Sequence, residues 1–133
     1  MAIDYLGNYL QKIKDEGNIE LADSIRKTTE SFNEKYLKQY SFTSHETGLL
    51  FGNVQSGKTG QMFGIMCQAA ENGFYAFLLL TTDNTVLQQQ TLNRVKRDLT
   101  DFLVCDETDS GLFIGNRLQK PVVVVLKKNY RVL

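Results

Sequence analysis

The chain has little of what would mark a metal centre, a disulfide scaffold, a polyanion-binding surface or a membrane span. It holds two cysteines, Cys67 and Cys105, one in an amphipathic stretch and one in an apolar run. Neither has metal-ligand spacing, so the pair predicts buried free thiols, no disulfide and a reducing, cytoplasmic setting. His45 is the only histidine and lies in a polar link beside Glu46. With no second histidine or partner cysteine, it reads as a surface residue rather than a metal ligand or a base. Lysine plus arginine number 15 and aspartate plus glutamate number 15, which excludes a chain-wide polybasic signature. The imbalance is local: Arg117, Lys120, Lys127, Lys128 and Arg131 follow Asp109 with no acidic residue among them, giving either a solvated cationic end or a binding patch. The apolar runs Phe77 to Leu80 and Val122 to Leu126 are far too short to cross a bilayer, and no membrane partner is expected. Met1 to Leu10, with Asp4 inside it, does not read as a secretory signal.

What remains is an ordinary globular composition, 42% apolar and 11% aromatic, in 133 residues, enough for one domain or part of one. Ile3, Leu6, Tyr9, Leu10 and Ile13 recur at helical spacing until Gly17 and Asn18 break the pattern. A second helix is expected from about residue 20 to 39, with Leu21, Ile25, Phe32, Tyr36 and Leu37 on one side. Residues 1–46 thus read as a helical pair ahead of a nucleotide-binding segment over residues 47–133.

That segment is announced by Gly52-Asn53-Val54-Gln55-Ser56-Gly57-Lys58-Thr59, a full match to the phosphate-binding loop G-x-x-x-x-G-K-[ST]. Chance would produce it in a chain this long roughly once in two or three hundred. The run 47–51 ahead of it predicts a buried strand. Met62, Phe63, Ile65, Met66, Ala69 and Ala70 behind it predict a helix with one buried face. Strand, glycine loop and helix N-terminus together form a nest of inward-pointing amides that suits a polyanion. Lys58 would neutralise the outer phosphates and the Thr59 hydroxyl would hold Mg²⁺, so the expected ligand is a nucleoside triphosphate such as ATP.

Beyond the loop, 75–80 predicts a central parallel strand and 85–99 a helix through Val86, Leu87, Leu92 and Val95. Residues 102–105 and 122–126 predict two further strands. Strands alternating with helices predict an α/β fold with a parallel sheet of the P-loop, RecA-like kind.

Three blocks extend the motif: residues 48–59, then Asn84-Thr85-Val86-Leu87-Gln88-Gln89-Gln90-Thr91, then Lys120-Pro121 through Lys127-Lys128-Asn129. In this order they resemble successive motifs of superfamily 2 helicase-like proteins of the DEAD/DEAH type. The likeness runs in particular to the bacterial endonuclease-associated Z-one-type domain, where a Val-Gln-Ser-Gly-Lys-Thr loop is typical. It covers about residues 47–130. The resemblance implies ATP and Mg²⁺ at the first block and nucleic-acid backbone contacts at the second, where Leu87 and Gln90 match but Asp83-Asn84 replaces the usual Pro-Thr. It implies phosphate contacts by Lys127, Lys128 and Asn129 at the third, which otherwise form a charged cap at a strand end. In the family, the parent is an ATP-hydrolysing nucleic-acid motor, here with a restriction or phage-defence setting.

Phe102 to Asp109 has the look of the acidic strand of such motors, with Asp106 holding Mg²⁺ through water and Glu107 polarising the attacking water. The family places that strand after the Lys-Lys-Asn block, whereas here it comes before, so a surface loop is the other reading. In that case the chain is an N-terminal fragment with an incomplete sheet. It would bind nucleotide, hydrolyse it very slowly and self-associate through open sheet edges. Two rival readings are a non-catalytic interaction module with a vestigial loop, and a kinase-like phosphoryl transferase, which would need a lid and substrate arginines. Gln39 as an adenine reader, and Tyr36, Tyr40 and Phe42 as base-stacking or core residues, complete the candidates.

Overall fold

Asp4 starts the first helix by accepting the Gly7 amide on its side chain at 2.9 Å, which satisfies one of the amides a helix leaves unpaired at its N-terminus. The helix α1, Tyr5–Asp15, ends where Gly17 takes φ 90°, a left-handed conformation open to glycine at little cost. Helix α2, Ile19–Phe32, follows and runs into a π-helical turn, Asn33–Leu37. Then come α3, Lys58–Glu71; β1, Ala76–Thr81; α4, Thr85–Asp98; β2, Leu103–Cys105; and β3, Val122–Lys127. This is a computed structural model that describes residues 3–50, 57–81, 84–109 and 120–127. Over these residues the chain is mixed α/β, and it divides into two compact units, Met1–Gly73 and Phe74–Leu133.

In the first unit α3 packs on both α1 and α2. The core comes from Tyr9, Leu10 and Ile13 of α1, Ala22, Ile25 and Thr29 of α2, and Phe63, Met66, Cys67, Ala69 and Ala70 of α3. The close approach of α2 to α3 depends on a missing side chain. A Cβ on Gly64 would lie 2.5 Å from Ile25 Cγ2 and 2.7 Å from Thr29 Oγ1, inside any tolerable contact. Phe63, Met66, Ala69 and Ala70 of the expected face of α3 are buried, joined by Gly60, Gln61, Gly64 and Cys67, whereas Met62 and Ile65 are only half-buried.

The strand expected at 47–51 does not form in its described part. Residues 47–50 carry no regular structure and are exposed, Leu49 by 84%. A strand is stable only beside another strand, and every regular element among the described residues of the first unit is helical. Phe51 lies outside the described residues.

The second unit holds a three-stranded parallel sheet in the order β1-β3-β2. Its centre is β3, an unbroken valine run whose Val122, Val123 and Val125 are sealed from solvent. Among the described residues the strand predicted as central, β1, has β3 as its one neighbour, and its residues alternate between exposed and half-buried. Helix α4 packs against all three strands. Lys127, which shares a sheet face with Val123 and Val125, donates from Nζ to Thr85 Oγ1 at 3.2 Å, so the start of α4 lies over that face. Asn84 caps α4 by accepting the Val86 and Leu87 amides at 2.8 and 3.3 Å. The buried face of α4 is Gln88, Leu92 and Val95, with Leu99 just beyond, at spacings of four, three and four. Val86 and Leu87, expected inside, are exposed.

Candidate phosphate-binding site

The motif enters the described structure at Gly57. Its φ of 77° and ψ of 32° are left-handed, a conformation that calls for glycine, and an added Cβ would lie 3.0 Å from Leu21 Cδ1 at the end of that side chain. Lys58, the first residue of α3, is exposed, and Thr59 beside it is half-buried. The first helical hydrogen bond runs from the Gln61 amide to the Gly57 carbonyl at 2.9 Å. Gly57 at the N-cap offers no side-chain acceptor and the first turn carries no acidic residue, so the positive end of the helix dipole lies next to the Lys58 ammonium. Main-chain donors, one cation and one hydroxyl are a set whose chemistry suits a phosphate accompanied by Mg²⁺. Gly52, Asn53, Val54, Gln55 and Ser56 lie outside the described residues.

Neighbouring helices hold the first turn of α3. Tyr9 donates its hydroxyl to the Gly60 carbonyl at 3.1 Å, a buried bond, and its ring meets Phe63 edge-on at 6.3 Å. Gln61 donates from Nε2 to Ser24 Oγ at 3.0 Å. Tyr9, Ser24 and Gln61 were not among the sequence candidates, and their separations in the chain, 51 residues for the Tyr9 bond, give no local pattern to read. The Gly60–Gly64 spacing was the visible signal for the close helix crossing.

Asp106 and Glu107 lie just past the carboxyl end of β2, in the second unit, and both are engaged locally. Asp106 Oδ1 accepts the Thr108 amide at 2.8 Å and the Thr108 hydroxyl at 2.6 Å, while its own amide donates to Asp109 Oδ2 at 3.0 Å. This is a self-contained Asx turn, and the Thr108 hydrogen bonds hold the Asp106 carboxyl below its usual pKa. Glu107 Oε2 accepts Gln88 Nε2 at 2.8 Å, and the same amide nitrogen reaches the Val125 carbonyl at 3.3 Å. Gln88 is thus a buried polar residue made tolerable by two acceptors. Burial, with Asp109 and Asp106 nearby, pushes the Cys105 thiol upward, which keeps it protonated and unreactive.

Gln90 is exposed on α4 and borders a shallow hollow with Asn93, Arg94 and Arg97. Both arginines pair with Asp98, Arg97 at 2.9 Å and Arg94 at 3.7 Å. Lys127 is tied to Thr85 as described, while Asp83, Lys128 and Asn129 lie outside the described residues. Gln39 donates to the Glu34 carbonyl at 3.3 Å. Tyr36 stacks at a tilt on Phe32, and Tyr40 meets Phe42 edge-on, with Tyr36 and Phe42 both exposed. His45 is exposed.

Among the described residues no three histidine, cysteine, aspartate or glutamate side chains converge on a point that could hold a metal ion. Nor is any described helix long and apolar enough to cross a membrane. Comparison with protein-family models, with curated proteins and with solved structures gives no match to this chain.

Proposed function

We propose that the chain binds a nucleoside triphosphate with Mg²⁺ through residues 52–59, as the ATP-binding part of a helicase-like nucleic-acid motor. The observation that carries this is Gly57: a left-handed glycine closing the motif, directly followed by an exposed Lys58 on an uncapped helix N-terminus. In this reading the amides of the loop and of α3 hold the phosphates. Lys58 offsets their outer charge and Thr59 ligates the metal ion. Nucleic acid belongs to the parent motor, with Gln90, Lys127, Lys128 and Asn129 as its contacts. The P-loop, RecA-like identity of the fold is part of the same proposal.

A second reading is favoured by one observation: Asp106 is committed to Thr108 and Glu107 to Gln88. A chain whose carboxylates are used in this way binds nucleotide without hydrolysing it at a useful rate, and serves as a nucleotide-dependent interaction module. Titration of ATP with Mg²⁺ by calorimetry tests the shared premise. Lys58→Ala should weaken binding on the order of tenfold or more, because a charge-assisted contact is lost. Equal affinity of the two proteins removes the phosphate-loop reading. Hydrolysis that falls on Glu107→Gln while binding is kept would remove the second reading.

A further inference from the structure

The first turn of α3 is poorly equipped to hold its own shape. Gly57 and Gly60 lie at its start, glycine is the least helix-favouring residue after proline, and Gly57 offers no side chain to cap the free amides. Yet the amides of this turn and Lys58 are the groups that the nucleotide-binding reading sets against the phosphates. Their direction is supplied from outside, by the two helices ahead of α3 in the chain. Leu21 of α2 packs on Gly57, with Cδ1 3.0 Å from where a Cβ would stand. Tyr9 of α1 donates its hydroxyl to the Gly60 carbonyl at 3.1 Å, and Gln61 donates from Nε2 to Ser24 Oγ of α2 at 3.0 Å.

These polar contacts are not the most stable way to fill the space. Tyr9 and Gln61 are buried, at 5% and 7% exposure, and among the described residues Gln61 Oε1 has no hydrogen-bond partner. A buried amide satisfied on one side only is less favourable than an apolar side chain of the same size. What it adds is direction, since a hydrogen bond weakens steeply when its angle is lost and an apolar contact does not. We infer that Tyr9, and Ser24 through Gln61, are positioning residues for the phosphate loop: they hold the turn in the orientation that binds, so that nucleotide and the α1–α2 pair stabilise each other. The inference rests on the nucleotide-binding reading of residues 52–59. Its thermodynamic form is linkage. Apparent affinity falls in proportion to the fraction of molecules in which the turn is formed, and a ligand that binds only the formed turn favours the helices that form it by the same factor.

The test is calorimetric titration with ATP and Mg²⁺ at a temperature where circular dichroism shows each variant fully folded. Tyr9→Phe keeps the ring against Phe63 and loses only the hydroxyl, and it should weaken binding about fivefold. Ser24→Ala should weaken it about threefold, and Ser24→Thr, which keeps a hydroxyl, should restore it. Ile13→Val, a core change one turn further along α1, should lower the melting temperature and leave affinity unchanged; a merely structural role of α1 would give both α1 variants the same pattern. Hydrogen exchange gives a second readout that needs no variant. Saturating ATP with Mg²⁺ should slow the amides of residues 9–13 and 21–25 on the order of tenfold or more. Wild-type affinity in both Tyr9→Phe and Ser24→Ala, or unchanged exchange in α1 and α2 with ATP bound, overturns the inference, and the phosphate loop then stands as long as Lys58→Ala still weakens binding. A wild-type chain that takes up no ATP removes the loop reading and this inference with it.

Discussion

The two units reach a buried core by opposite means. In Met1–Gly73, helices α2 and α3 come together where a side chain is absent, at Gly64, so the packing depends on space being left open. In Phe74–Leu133 the core is a run of branched side chains on the central strand, with Val123 and Val125 on the face that α4 covers and Val122 buried on the other. The first arrangement places the loop's last glycine and Lys58 at the end of a helix fixed by its neighbours. The second puts the uncharged strand β1 at the end of the sheet among the described residues.

Gly64→Val should give the largest effect. Its Cβ would be driven against Ile25 and Thr29, and a β-branched side chain has little rotamer freedom in a helix to escape. A loss of about 3 kcal/mol is expected in urea denaturation. Gly60→Ala is the control. Its Cβ would meet Ile25 Cδ1 at 3.3 Å and Tyr9 Oη at 3.5 Å, and the better helix propensity of alanine should leave the net change within about 1 kcal/mol. Hydrogen exchange sharpens the contrast between the units. If Gly64→Val strips protection from α3 amides and spares those of Val123 and Val125, the units unfold separately; simultaneous loss would show one cooperative fold.

Gln88→Ala comes next, at about 2 kcal/mol, because the buried Val125 carbonyl and the Glu107 carboxylate lose a shared donor. Calorimetric melting measures the cost, and a change below about 0.5 kcal/mol would mean water replaces the amide. The smallest effect concerns Glu71 at the end of α3. Its pKa is raised to about 7, first by partial burial and then by a hydrogen bond that its protonated carboxyl donates to the Asp4 carboxylate and by the charge of that carboxylate. The folded state holds this proton more tightly than the unfolded chain. The stabilisation is therefore complete below the ordinary value of 4.5 and lost as pH rises through about 7. Solvent around this exposed carboxyl reduces the effect to about 1 kcal/mol. Melting temperatures compared at either end of that window should fall with pH, and Glu71→Gln should flatten the slope. A wild-type slope of the opposite sign would remove the Asp4–Glu71 pair from the account.

Much of the element order was readable because each element carries its own signal. The Gly17 break, the helical repeat of α4 and the valine run of β3 are local statements about periodicity and turn chemistry. Residues 47–50 misled, since two leucines look like a strand whether or not a ladder is there to receive them. Val86 and Leu87 misled in another way: both are apolar, but α4 turns Gln88 inward in their place. Hydropathy ranks glutamine outside, and only the two acceptors offered by Glu107 and Val125 reverse that order.

The sequence by itself determined the Gly-Lys-Thr run, the need for glycine at the start of α3, and a parallel pairing of strands separated by a helix. Each follows from the conformational limits of single residues and from short periodic patterns. Tertiary structure alone decided that β1 lies at the end of the sheet among the described residues, that Asp106 and Glu107 are taken up by Thr108 and Gln88, and that Tyr9 fastens the first turn of α3. Those outcomes depend on which groups far apart in the chain meet as partners, and a backbone carbonyl that accepts a distant donor leaves no mark in the residue letters.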